Sequence, residues 1–414
     1  MERGQPSPEM TTAPEQTDGV DIAIGVVTTG ASPSVPTVVK VVQEGMLTHL
    51  GGLTAAIIHM DPTMPDEQAG QVEPIADGIR LIHARPTGAM ATASGLDGWS
   101  ESVRAVLGLS RRLHARAVVL LNADITSMTP VWIRGLAAPV LKDGGCAFVL
   151  PIYERGRYEG TLTQLFVAPL ARALFGHQFW HPMADEFGCT GETAEFLLAQ
   201  DIWTTDLARQ GLEFWLPIGV AGGALTVAQS VLGPRVLNPT GPQPPLGSTV
   251  GRVAGALFSI AERHEAGWLD VRGSEPVAVL GAPPAPAKRS ASVDPKRMIE
   301  GFLQGVRDLL PIWERILSPE TLGDVLVLSE QATGEFRLTD SLWTRIVYDF
   351  LLAYRARVMY RSHIAQSLAP LYLGCAASLV LDTRDRPDAA VAHAVERMAR
   401  AFEAEKPYLV DRWR

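Results

Sequence analysis

A mainly parallel α/β sheet followed by a separate helical domain is the architecture this sequence predicts. Three observations predict it. Apolar, β-rich runs alternate with amphipathic segments through the first two-thirds of the chain, a Pro- and Ala-rich stretch interrupts that pattern near residue 282, and only helical periodicity follows. At 414 residues the chain exceeds the usual size of one compact domain, so two cores are expected. The expected division is a disordered tail over 1–20, the α/β domain over 21–281, a linker over 282–294 and the helical domain over 295–414.

Taken in order, Asp21 to Thr29 (DIAIGVVTT) is a continuous apolar run of the kind buried on both faces of a parallel sheet. A Gly/Ser/Pro turn leads to helical spacing over Thr37 to Leu50, then strands are expected over Ala55 to His59, with Asp61 just beyond, and over Gly78 to His83. Trp99 to His114 reads as a helix feeding the strand Ala117 to Leu121, and Cys146 to Pro151 as another strand. Helical pattern is expected over Leu162 to Phe175 and Thr190 to Gln210, with a strand over Leu212 to Ile218. Gly241 to Gly247 breaks regular structure, as does the linker around Ala282 to Ser292. Helices are then expected over Pro295 to Leu317, Leu342 to Tyr360, Ile364 to Leu379 and Ala389 to Ala404, with Trp313, Trp343, Tyr348 and Tyr354 as packing residues.

Composition narrows function. Hydrophobic residues make up 47% and charged residues 20%, as in an ordinary globular protein, and a net charge of −9 gives no global attraction to nucleic acid or anionic lipid. Cys146, Cys189 and Cys375 are widely spaced with no CxxC pair, and the first twenty residues lack the apolar core of a signal peptide. No run of about 18 uncharged apolar residues suggests a membrane span. Together these predict a cytoplasmic protein. No GxSxG elbow, P-loop or dinucleotide-binding glycine pattern occurs.

The stretch carrying most chemistry is Val118 to Trp132, in which a buried strand ends on Asn122-Ala-Asp124. Side chains there fall at the carboxyl edge of the sheet, where open α/β folds bind ligands. Asp124 can offer a carboxylate to a hard cation, whereas Asn122 offers a carbonyl oxygen or a hydrogen bond; as plain structure, the pair would end the strand and cap a turn. A second cluster, PIYERGRYEGTLT, holds Tyr153, Arg155, Arg157, Glu159, Thr161 and Thr163 in a Gly-containing loop, where guanidinium forks suit carboxylate or phosphate. In a third, WHPMADEFG, Asp185 and Glu186 are expected to precede a helix, as acceptor-orienting groups or as ordinary capping residues. His177 and His181 are four apart, but Pro182 follows and no third ligand is evident, which favours a structural role.

With these residues placed, the chain resembles the retaining glycosyltransferases of the GT-A fold around mannosylglycerate synthase, glucosylglycerate synthase and glucosyl-3-phosphoglycerate synthase. The resemblance covers almost the whole chain from Asp21. It is carried by NADITSMTPVWI, PIYERGRYEGTLTQLFVAPLARALFG and HPMADEFGCT, and by the later segments LGPRVLNP, WTRIVYDF, LAPLY and KPYLVDRW. It implies a three-layer α/β/α nucleotide-diphospho-sugar transferase domain with a helical C-terminal domain. It also implies transfer of a hexose, with retention, from a GDP- or UDP-sugar to a glycerate-like or other small hydroxyl acceptor. Thr28, Asp61, Asn122 and Asp124 would serve the donor, with Asp124 on a Mg²⁺ or Mn²⁺ ion; Tyr153, Arg155, Thr161 and Thr163 would serve the acceptor; Asp185 and Glu186 would lie at the transferring sugar. A homodimer through the helical domain is a further expectation.

Three positions depart from the family pattern. Asn122 replaces the first metal-motif carboxylate, Leu237 stands where a metal-binding His is expected, and Leu96, Asp97 and Gly98 replace a phosphate-side Gly-Lys-Gly. Each change removes a group that would offset diphosphate charge, so metal binding is expected to be weakened. The same departures suit a catalytically silent homologue that binds a sugar, a nucleotide or a partner protein.

Overall fold

A computed structural model of the chain describes residues 11–12, 19–28, 32–86, 98–238, 244–282 and 293–414. Most of the expected tail and of the linker, together with Leu96 and Asp97, lies outside these residues. The chain divides into two compact units. The first comprises Met1–Glu154, Met183–Gly241 and Ala278–Pro284; the second comprises Arg155–Pro182, Pro242–Val277 and Ala285–Arg414.

The strands are β1 (Thr11–Thr12), β2 (Ile22–Val27), β3 (Ala55–Met60), β4 (Val72–Ala76), β5 (Ile79–Pro86), β6 (Ala117–Asn122), β7 (Phe148–Glu154), β8 (His177–Gln178), β9 (Phe187–Thr190), β10 (Val227–Pro234), β11 (Glu275–Pro276) and β12 (Ala278–Leu280). All but β8 and β11 form the sheet of the first unit, in the order β1-β5-β3-β2-β6-β9-β7-β10-β12, with β4 also on β5. Strands β5, β3, β2 and β6 are mutually parallel, as are β7, β10 and β12, while β9 runs antiparallel between β6 and β7. The expected mainly parallel α/β sheet is therefore present, with one antiparallel strand inserted at its centre.

Every residue of β2 is buried, as its unbroken apolar run requires of a strand covered on both faces. Ile22, Ile24 and Val26 point to one face, where they pack with Val38, Val42 and Met46 of the helix Val35–His49 and with Trp132, Ile133 and Leu136 of the helix Pro130–Leu141. Gly25 points to the other face, against Val106 of the helix Gly98–Arg112. Burial of each such aliphatic side chain contributes about 1.5–3 kcal/mol.

Two segments differ from what periodicity predicts. Leu212–Gly222 is a helix rather than a strand, and the strand beside β7 is Val227–Pro234. Apart from Glu213, the segment LEFWLPIGV is apolar, and it is buried from Leu212 to Val220, so a short apolar run gave no period with which to tell helix from strand. Asp185 and Glu186 precede β9, not a helix directly; the helix Gly191–Leu198 begins after it, capped by Thr190, whose hydroxyl accepts from the Thr193 N–H.

In the second unit, helices Pro295–Trp313, Asp340–Ala356, Ala369–Thr383 and Ala389–Ala404 match the periodicity, and Pro319–Ser329 adds a helix that it did not reveal. Arg155–Pro182 and Pro242–Val277 group with these helices, where composition assigned them to the sheet domain. The reason is visible in the packing: Phe166 meets Phe258 and Trp343 edge-on, and the Trp343 Nε1–H donates to the Leu165 carbonyl at 2.7 Å. Lys406 is buried, and its ammonium donates to the carbonyls of Trp268 and Val271, each at 2.8 Å, joining the last helix to the segment after Arg263. Arg361–Thr383 is apolar and long enough to cross a membrane, which the sequence reading did not register; 78% of its apolar window is buried within the protein, as in a core helix.

Candidate active site

The carboxyl edge of the sheet collects the candidate donor residues of the first unit. Thr28 follows β2, and its buried hydroxyl donates to the Met60 carbonyl at 3.4 Å, tying the ends of β2 and β3. Asp61 follows β3 and folds back on its own turn, where Oδ1 accepts from the Thr63 N–H at 2.8 Å and the Thr63 hydroxyl at 2.7 Å. Asn122 ends β6. Its Oδ1 accepts from the Asp124 N–H at 2.8 Å, while Asp124 Oδ1 accepts from the Ser32 hydroxyl at 2.7 Å. The turn after β6 is thus pinned by side chains that favour turns over strand continuation.

A strap after β10 runs beside this turn. The Asn238 N–H donates to the Asp124 carbonyl at 2.7 Å, Leu237 and Ile125 form an antiparallel bridge, and the Val236 N–H donates to Ser127 Oγ at 2.9 Å. Leu237 therefore stands next to the Asp124 segment, where the resemblance places a metal-binding histidine. It is exposed and offers no ligand atom.

The residues present do not make a divalent-cation site on their own. The Asn122 carbonyl oxygen is engaged with backbone, Leu237 is hydrocarbon, and among the described residues no three His, Cys, Asp or Glu side chains converge. A hard cation needs several oxygen ligands, and Asp124 supplies one carboxylate.

The first residue of the strap, Arg235, belongs to a buried cluster. Its Nε and Nη2 reach the two oxygens of Glu186 at 3.1 and 2.9 Å, Nη2 also reaches Asp185 at 3.0 Å, and the guanidinium lies 5.7 Å from the Tyr153 ring centre. Tyr153 donates its hydroxyl to Glu186 Oε2 and packs its ring against Trp132. The two carboxylates have different surroundings. Glu186 is 1% exposed with both oxygens occupied, whereas the Asp185 side chain is 36% exposed and held by one nitrogen of Arg235. Burial pushes the Glu186 carboxyl above its usual range; Arg235 pulls it down, and the neighbouring Asp185 charge pushes it further up. Arg235 loses solvation too, but two carboxylates face it, and they hold its pKa above the ordinary arginine value. One cation shared by two anions accounts for both directions. Burial, then the Glu186 charge, raises the Tyr153 phenol well above its ordinary value, so it stays a donor.

Arg235 was not singled out in the sequence. Its signal was a lone arginine in the apolar run VLGPRVL, a poor place for a charge without partners.

The expected acceptor residues Arg155, Thr161 and Thr163 lie in the second unit. Arg155 wraps Gly160, which has φ +74°, so closely that a Cβ there would meet its Nη1 at 2.0 Å. The Thr161 hydroxyl bonds the Tyr372 hydroxyl at 2.7 Å, and Thr163 opens a π-helical turn, Thr163–Val167, of a kind that recurs at functional sites. Arg157 is anchored structurally, on Asp388 at 2.7 Å and on the carbonyl of Arg386 at 2.6 Å. Glu159 accepts from the Gly156 N–H at 2.9 Å and braces its own loop. His177 and His181 share no metal-ligand cluster among the described residues, and burial drives the His181 imidazole down to about 3, with the Arg155 charge adding to it.

No family model and no curated protein matches the chain. Among solved structures, it is similar to glucosyl-3-phosphoglycerate synthase from Mycobacterium tuberculosis. The complex of that enzyme with Mn²⁺, UDP and phosphoglyceric acid aligns at 18% identity and a TM-score of 0.41, covering 59% of this chain and 78% of that one. Its complex with Mn²⁺, UDP-glucose and phosphoglyceric acid aligns at 19% and 0.41, covering 59% and 80%. The complex with Mg²⁺ and UDP gives 18% and 0.41, covering 59% and 79%.

Proposed function

We propose that this protein is a hexosyltransferase that takes its sugar from a nucleotide diphosphate sugar and passes it to a small hydroxyl acceptor of the glycerate type. The observation that carries the reading is the strap after β10, which joins two sets of polar groups at one sheet edge. Its Leu237 and Asn238 lie on the Asn122-Ala-Asp124 turn, and its Arg235 grips Asp185 and Glu186. In this reading the Asp124 turn meets the ribose and phosphate side of the donor. Asp185 is the carboxylate available to a sugar or acceptor hydroxyl. Glu186 and Tyr153 are positioning residues that fix the Arg235 guanidinium and, through it, Asp185. A pre-held carboxylate lowers the reorganisation needed as charge develops. The acceptor residues Arg155 and Thr163 and retention at the anomeric carbon belong to the same proposal.

A second reading, a homologue that binds nucleotide or sugar without turnover, is favoured by one feature. Asn122 and Leu237 leave Asp124 without the partners a cation would need. Calorimetric titration with UDP- and GDP-hexoses, each with and without Mn²⁺ or Mg²⁺, followed by donor consumption in the presence of D-glycerate, separates the two. Binding and consumption that vanish in Asp124→Ala and Asp185→Asn support transfer. Binding without consumption supports the silent homologue, and absence of donor binding rejects both.

A further inference from the structure

The second unit holds a cavity of about 550 Å³ unrelated to the residues above, lined by Arg315, Arg355, Arg412, Asp349 and an apolar wall. Its volume is that of a small-molecule site. Three arginines and one acid are among its lining residues. We propose that this cavity binds a small organic oxyanion, a carboxylate or phosphate head carrying a compact apolar body.

Each arginine is held by groups that leave its charge uncancelled or only partly offset. Arg315 donates to the Val358 carbonyl at 2.7 Å, a bond to a neutral acceptor. Arg412 lies over Tyr408 at 3.7 Å from the ring centre and donates to the Tyr408 carbonyl at 3.3 Å. Among the described residues neither forms an ion pair. Arg355 lies over Trp413 at 4.2 Å and pairs with Glu265 at 3.3 Å. Stacking and backbone bonds orient the planar forks, and an oriented guanidinium is the side chain best matched to a two-oxygen head.

Asp349 is the one acid in the lining, and it is turned to internal donors. Oδ2 accepts from the Ser318 N–H at 2.9 Å and Oδ1 from the Tyr408 hydroxyl at 2.5 Å. Burial raises its carboxyl above the usual range, against the pull of these hydrogen bonds and of the Arg412 charge. Leu352, Ala353, Ile316, Leu317 and Val358 supply an apolar wall that a bare inorganic ion would leave unused.

The test is calorimetry on the full chain with phenyl phosphate, 4-phenylbutyrate, inorganic phosphate and neutral benzyl alcohol. Phenyl phosphate or phenylbutyrate should bind more tightly than inorganic phosphate, weaken with added salt, and outcompete benzyl alcohol; the two heads tell phosphate from carboxylate. The paired change Arg315→Ala with Arg412→Ala should weaken binding by about tenfold or more. Arg412→Ala alone, at an exposed residue, should weaken it in the same direction with the thermal melt unchanged. Asp124→Ala in the other unit should leave it intact. Failure of both organic anions to bind at millimolar concentration overturns the proposal, as does binding unchanged by the arginine variants or abolished by Asp124→Ala.

Discussion

Arg235 shows how one residue can hold a site together. Its guanidinium sits between the buried Glu186 and the partly exposed Asp185, so deleting it strands a carboxylate that has almost no water. Arg235→Met should destabilise the protein by about 3–5 kcal/mol, the usual result of breaking one side of a buried pair. Adding Glu186→Gln should recover about 1–3 kcal/mol of that loss, since the two residues are in contact and cannot be additive. Urea denaturation of the four variants in this cycle checks it, and strict additivity would show that the ion pair is not coupled. The sequence displayed Asp185 and Glu186 as a doublet, of which the resemblance set Glu186 nearest the transferring sugar. Only the fold separates the enclosed one from the available one.

At the scale of elements, strand β9 is the feature that periodicity missed. Four residues, Phe-Gly-Cys-Thr, are too few to register a period, and their pairing partners are distant in sequence. The strand enters the sheet because Gly188 lets its backbone approach the helix Pro130–Leu141: a Cβ at that position would meet the Leu136 carbonyl oxygen at 2.0 Å. Gly188→Ala should therefore cost about 2 kcal/mol or more, by prying strand from helix. Gly222→Ala, where nothing lies within 4 Å, should be neutral or stabilising by up to about 1 kcal/mol. Equal melting temperatures for the two variants would contradict this packing.

For the molecule as a whole, acid sensitivity has an identifiable contributor. Burial holds His181 neutral, with its pKa lowered from 6.5 to about 3. An unfolded chain takes up a proton below pH 6.5 that the folded one refuses, so stability is unaffected above that pH and falls as pH drops from about 6.5 toward about 3. The loss is on the order of a few kcal/mol. His181→Phe should remove this slope, so the stability difference between variant and parent should shift in the variant's favour across that window. A difference that stays flat with pH would mean that His181 charges freely in the folded state.

By itself the sequence determined the α/β class, the helical second half and the turn that ends β6. These depend on local apolar periodicity and on side chains that bond their own backbone, as Asn122 and Asp124 do. Tertiary structure alone decided that Arg155–Pro182 packs with the helices, that Leu212–Gly222 is helical, and that Arg235 joins Asp185, Glu186 and Tyr153. Those outcomes rest on contacts between residues tens to hundreds of positions apart, whose free energy comes from shared burial and charge pairing rather than from any property of the local chain.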